Sequence, residues 1–142
     1  MILAVDPGDT TGYAVLYMDG RCKLWGHKSA EEFIEWLGSA PLDQVQHIVI
    51  EDFILFARKA KKQTGSRFKT VQVIGALKMR AGQLGIPWHM QGSDIKSVAE
   101  RWSKVSPPAD HRQSHKYDAF NHGFYWLVRN GWAPTAWERE RR

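Results

Sequence analysis

A single cysteine, Cys22, among 142 residues leaves no partner for an internal disulfide and no thiolate cluster for zinc. Such usage fits a reducing compartment, so a cytoplasmic protein is expected. No stretch approaches the roughly 20 consecutive apolar residues of a membrane span, which excludes an integral membrane protein of the helical kind. The opening MILAVDPGD has no basic n-region and places an acid inside what would be the apolar run, so no signal peptide is expected. Internal repeats, low-complexity tracts and linker-like stretches are also missing. The expectation is one domain spanning 1–142, with 43% hydrophobic and 25% charged residues to build an ordinary core and surface.

Positive charge is absent from Met1 to Asp19, which carries three Asp, and is concentrated elsewhere. Twenty Lys and Arg against fifteen Asp and Glu leave a net +5, a surplus that points to a polyanion such as nucleic acid. Arg58, Lys59, Lys61, Lys62, Arg67 and Lys69 crowd into one short stretch, and the chain ends Arg139-Glu140-Arg141-Arg142.

Residues 2–6 read as a buried strand ending on an acid, 12–18 as a second strand, and 21–27 as its return partner across the Asp19-Gly20 turn. Ser29 followed by Glu31-Glu32 starts a helix with Phe33, Ile34 and Leu37 on one face. A further strand covers 46–50 and runs into Glu51-Asp52, followed by a loop over 53–65. An amphipathic helix over 67–84 places Val71, Ile74, Leu77, Ala81 and Leu84 on its apolar face. A short strand at 86–90, a helix from a Ser93 cap to Trp102, a proline-containing loop over 104–110 and a last helix over 112–129 complete the series. This order predicts an α/β protein with a mixed five-stranded sheet flanked by helices.

Asp6 and Glu51 each stand at the end of an apolar strand, held on rigid scaffold within reach of solvent. Either forms part of a metal site or marks where a strand leaves the core. In the last helix His115 and Asp118 are three apart and share a face. His111 and His122 extend that stripe, with His111 before the helix, His122 packed, and His115 the favoured ligand. Three carboxylates and an imidazole form an oxygen-rich set that suits Mg²⁺ or Mn²⁺ better than zinc.

The motif DPGDTTGYAV at 6–15, VIED at 49–52 and SHKYDAF at 114–120 appear in one order that resembles the RuvC family of Holliday-junction resolvases, of ribonuclease H-like fold. The resemblance runs from Met1 to about Arg129. It implies Asp6, Glu51, His115 and Asp118 as ligands of two Mg²⁺ ions, with Mn²⁺ able to substitute, in an endonuclease that cleaves junctions by two-metal phosphodiester hydrolysis. It also implies Lys96 near the scissile phosphate, Lys104 as a second such lysine, and a homodimer with helix 67–84 at its interface. The segment between these lysines and the last helix is shorter than family members usually carry. Phe53 and Phe56 fall where the family has an apolar residue that enters the junction, and aromatic rings beside a basic loop suit stacking on unpaired bases; the other reading makes them an anchor for the loop. With Arg58, Lys59, Lys61, Lys62, Arg67, Lys69 and Lys104 they form the expected DNA-binding set. The expected partner is branched DNA, with forks and flaps as further substrates.

Two alternatives stay open: a non-catalytic DNA-binding module of the same fold, and a ribonuclease H or flap-type nuclease. The first would be expected to lack at least one acid; the second differs in substrate and not in site chemistry. A phosphate-loop ATPase of the actin and sugar-kinase kind is disfavoured, since one domain of this length has no second lobe to close on a nucleotide.

Overall fold

Ile2–Asp6 (β1) is apolar at every position but the last, the composition of a strand covered on both faces. In the computed structural model, which describes residues 1–52, 64–109 and 114–141 (64–67 through their backbone), β1 is the central strand of a five-stranded sheet. It pairs antiparallel with Thr10–Leu16 (β2) and parallel with His47–Glu51 (β4). Cys22–Ser29 (β3) lies outside β2, and Trp88–Gln91 (β5) lies parallel outside β4, so the order is β3-β2-β1-β4-β5. The mixed, helix-flanked sheet expected from the sequence is present.

Alternation along the strands divides the core in two. Leu3, Val5, Ile48 and Ile50 face Phe33 and Leu37 of α1 (Ala30–Ser39) together with Val73, Leu77 and Ala81 of α2 (Thr64–Leu84). Ile2, Ala4, Ala14, Leu16 and Val49 face Phe120, Phe124 and Leu127 of α4 (Ser114–Arg129). Between them in sequence, a 3₁₀ turn at Ser93–Ile95 leads into α3 (Lys96–Ser103), and α5 (Ala136–Glu140) follows α4. Asp6 lies two residues beyond Ala4, and Glu51 two beyond Val49. Both acids therefore project on the α4 side.

Local chemistry explains the helix ends. Ser29 and Glu32, read as a helix start, form a capping box of α1, each satisfying the other's backbone N–H. α4 lies unusually close to the sheet because it crosses on small residues. A Cβ on Gly123 would sit 2.7 Å from the Cβ of Ala4, and a Cβ on Gly12 would overlap the His115 carbonyl.

Four expectations need correction. The loop placed at 53–65 ends earlier, since Thr64 and Gly65 already belong to α2; residues 53–63 lie outside the described set. The apolar face of that helix is rotated: Val71 and Leu84 are exposed, and Thr70 joins Val73, Leu77 and Ala81 in the interior. A polar threonine in the buried row masked the true period. Ser93 does not cap a helix with its side chain; it opens the 3₁₀ turn, and Lys96 begins α3. The sequence reading also omitted α5, whose start carries a capping box from Thr135 and Glu138.

The seating of α4 predicts a specific penalty. Gly123→Val should lower stability to urea by roughly 1–3 kcal/mol through overpacking against Ala4 and Leu16, and Ala4→Gly in the same chain should recover part of it. Wild-type stability for Gly123→Val would mean that α4 does not sit on β1 at this distance.

Candidate active site at the strand ends

Parallel pairing sets β1 and β4 in register as far as Val5 and Ile50, so Asp6 and Glu51, the next residues, end side by side. Their carboxyls are close enough that the Glu51 charge raises the Asp6 carboxyl. Glu51 is 8% exposed, an unusual state for an acid that keeps its charge. α4 closes over this end. His115 Nδ1 lies 2.8 Å from Asp6 Oδ2, and Asp118, one turn on, faces the same space. Lys96, the first residue of α3, brings its ammonium to 3.1 Å from Glu51 Oε1 and 3.2 Å from Asp118 Oδ2. Asp6, Glu51, His115, Asp118 and Lys96, expected as one site, therefore meet in space.

Crowding of buried acids sets their protonation. Burial, helped by the neighbouring Glu51, pushes the Asp6 carboxyl up to about 6, while the His115 hydrogen bond opposes the shift. Burial acts against Glu51 as well, but His122 and the Lys96 ammonium outweigh it and hold the carboxyl down at about 2. Burial also disfavours the Lys96 charge; Glu51, Asp118 and Asp6 more than offset it, and the ammonium titrates above its usual range. The hydrogen bond to Asp6 raises the His115 imidazole in the same way. The site thus holds more negative than positive groups, and Asp6 ionises less readily than an ordinary carboxyl.

The donor chemistry fits a hard divalent ion: three carboxylates and an imidazole, with Glu51 Oε2 buried and lacking a formed hydrogen bond. Among the described residues no three of these groups converge at metal-ligand geometry. Lys96 stands between Glu51 and Asp118, and His115 is turned to Asp6, so an ion would have to displace the Lys96 ammonium to bind among these residues.

The other expected DNA-contacting residues distribute differently. Lys69 pairs with Glu31 of α1 at 3.1 Å. Lys104 is committed within the chain, 2.5 Å from Glu140 and 3.7 Å above the Trp137 ring of α5, and not directed at the acids. Arg67 lies in α2 with its side chain outside the description; Phe53, Phe56, Arg58, Lys59, Lys61, Lys62 and His111 fall outside the described residues. Sequence reading missed two neighbours of the acids. His122 is indeed packed, as expected, yet its Nε2 stands 3.4 Å from Glu51 Oε2. Gln91, opposite Glu51 in the β4–β5 register, contacts His122. A polar residue at the end of a third strand, like Asp6 and Glu51, was the available signal.

Strand order and layering define an α/β fold, a mixed five-stranded sheet flanked by helices, with the acids at its strand ends. Among solved structures the chain is similar to T. thermophilus RuvC in complex with a Holliday junction substrate, with a TM-score of 0.66 and 18% identity over 94% of this chain and 98% of that one. It is also similar to a second T. thermophilus RuvC structure, with a TM-score of 0.54 and 16% identity over the same shares. No protein-family model and no curated protein matches the chain.

The raised Asp6 carboxyl gives a signed pH effect. Its folded value, about 6, lies above the ordinary 3.8, so its stabilising share is complete below about pH 3.8 and is lost as pH rises through 6. Above that, burying the charge costs on the order of 2–3 kcal/mol. In EDTA, Asp6→Asn should unfold at higher urea than wild type at pH 7.5, with the gap closing by pH 4. Equal midpoints at both pH values would sink the electrostatic account.

Proposed function

We propose that this chain is a divalent-metal-dependent, structure-specific endonuclease that resolves four-way DNA junctions, a crossover junction endodeoxyribonuclease. The observation that carries the reading is the convergence of Asp6, Glu51, His115 and Asp118 around the Lys96 ammonium, in a fold similar to a RuvC solved on a Holliday junction. Those four residues would hold two Mg²⁺ or Mn²⁺ ions, which would activate water and neutralise charge on the phosphate in flight.

The chain's own groups have definable tasks. Asp6 and Glu51, on strand ends, fix the site to the most rigid part of the molecule. Asp6 must release its proton to act as a ligand, so activity should climb with pH through about 6. Lys96 has a long stem and two carboxylate partners, which allows its ammonium to pass from them to a phosphate oxygen. His115, on the first turn of α4, holds Asp6 at 2.8 Å through its Nδ1.

The partner is branched DNA, with forks and flaps as secondary substrates. Residues 53–69, which follow Glu51 and Asp52 in the chain, carry Phe53, Phe56, Arg58, Lys59, Lys61, Lys62, Arg67 and Lys69, the aromatic and basic side chains that would contact it. Lys116, adjacent to His115, lies over the Trp25 and Tyr117 rings and adds a basic, aromatic rim. Two symmetric cuts require two sites related by a two-fold axis, so the active species is a homodimer. On α2, Phe68, Val71 and Met79 are exposed, and Gly75 and Gly82 have open space at Cβ, which suits close approach by a second copy. A cytoplasmic setting agrees with the unpaired Cys22; among the described residues no helix is long and apolar enough to cross a membrane.

The test is cleavage of a synthetic four-way junction beside duplex, flap and RNA–DNA hybrid, with and without Mg²⁺. Junction cutting that depends on Mg²⁺ is expected. Glu51→Gln should lower it roughly 10²–10³-fold or more while leaving junction binding in Ca²⁺ intact. A Glu51→Gln protein that cuts at the wild-type rate removes the site assignment, and preferential cutting of the hybrid or flap favours the ribonuclease H or flap reading.

Neutralising Arg58, Lys59, Lys61 and Lys62 together should reduce the slope of log affinity against log salt on duplex arms by roughly 3 to 4, about 0.9 per phosphate contact. An unchanged slope in a salt titration would place these four cations away from the DNA.

A further inference from the structure

His122 is fully buried near the middle of α4, yet an imidazole is a polar group that interiors accept only with partners. Its Nδ1 is 3.0 Å from the side-chain nitrogen of Gln91, and that nitrogen also donates to the His122 carbonyl at 3.0 Å. A carbonyl oxygen only accepts, so the Gln91 atom at this point must be the amide nitrogen. One of its hydrogens goes to the carbonyl and the other to Nδ1. Nδ1 is then the acceptor, and the ring hydrogen sits on Nε2. Nε2 faces Glu51 Oε2 at 3.4 Å, and both atoms are buried without a formed hydrogen bond to anything else.

We propose that Gln91 and His122 are positioning residues that hold Glu51 in its working orientation. Gln91 selects the imidazole tautomer, and His122 presents its N–H to Glu51 Oε2. The proposal rests on the nuclease reading for the purpose of that orientation, but its hydrogen-bond chain stands on geometry alone. Glu51 is gripped from two sides, Oε1 by Lys96 and Oε2 by His122. The two grips differ in kind. Lys96 is a flexible side chain shared with Asp118, and an arriving cation or phosphate displaces it. His122 is locked in the core and stays. When Lys96 leaves, the imidazole alone keeps the carboxylate from rotating, and the 3.4 Å separation closes to hydrogen-bond length with a small turn of either group. Donors that orient a ligating group commonly change metal affinity by 10–100-fold when removed. If His122 merely filled space, leucine would serve equally well.

Two measurements decide this. Nitrogen-15 NMR of the histidine rings, without metal, is expected to show His122 protonated at Nε2 and bare at Nδ1, with Gln91→Leu mixing the two tautomers. Calorimetric titration with Mn²⁺ is expected to show roughly 10–100-fold weaker binding for His122→Leu, at unchanged fold by circular dichroism. Gln91→Leu, at a partly exposed position, should weaken binding less and guards against a His122 variant that fails to fold. A His122 ring protonated at Nδ1, or a folded His122→Leu that binds Mn²⁺ as wild type does, overturns the proposal. Absence of Mn²⁺ binding by the wild-type protein overturns the nuclease reading instead, and the tautomer still decides the Gln91–His122–Glu51 chain.

Discussion

Everything at the strand ends depends on how closely α4 can lie against β1 and β2. Helix packing on a sheet is set by the largest side chains between them. Here Gly123 rests against the side chains of Ala4 and Leu16, and Gly12 lies under the His115 carbonyl, where backbone nearly meets backbone. That approach brings His115 within 2.8 Å of Asp6 and lets His122 reach Glu51. A side chain at either glycine would lift the helix and separate its polar face from the acids while leaving the sheet itself paired. Gly12 belongs to the same DPGDTTGYAV segment as Asp6, so one short run of sequence supplies both an acid and the clearance for its partner.

Electrostatics then decides what the assembled groups do. Asp6 and Glu51 share one buried patch, and two carboxylates there cannot ionise with equal ease. Glu51 has Lys96 and His122 beside it and stays charged; Asp6 has only His115 and is driven up toward neutrality. The imbalance is unfavourable for a purely structural cluster, because apolar residues of like volume would be cheaper to bury. Such a cluster makes physical sense as a receptor for positive charge, with Lys96 compensating part of the deficit.

Some of this was open to reading from the chain. An apolar run that stops on an acid places Asp6 and Glu51 at strand ends without any tertiary knowledge, and the three-residue spacing of His115 and Asp118 assigns them one helix face. The capping box at Ser29 and Glu32 announced α1. Other features depend on contacts distant in sequence. Whether His122 touches core or carboxylate is settled by the crossing of α4 over β4, which helical period does not encode. Lys104 carries no local sign of Glu140, its partner 36 residues on. The face of α2 was misread because Thr70 occupies an interior position while Phe68, Val71 and Met79 stand outside. The capping box at Thr135 and Glu138 was legible, and α5 was missed for want of an apolar run behind it.

The apolar outer face of α2 and the acids lie on opposite sides of the sheet, since α2 packs on the side of Leu3 and Val5 and α4 on the side of Ala4. Association through α2 would therefore leave the face that carries the acids uncovered in each copy. Both copies would present that face outward, related by the two-fold axis. Burial of Phe68, Val71 and Met79 would supply the apolar area, and Gly75 and Gly82 the close approach. Such an arrangement would separate the labour within one small fold: one side of the sheet would join the copies, and the other would carry the strand-end acids.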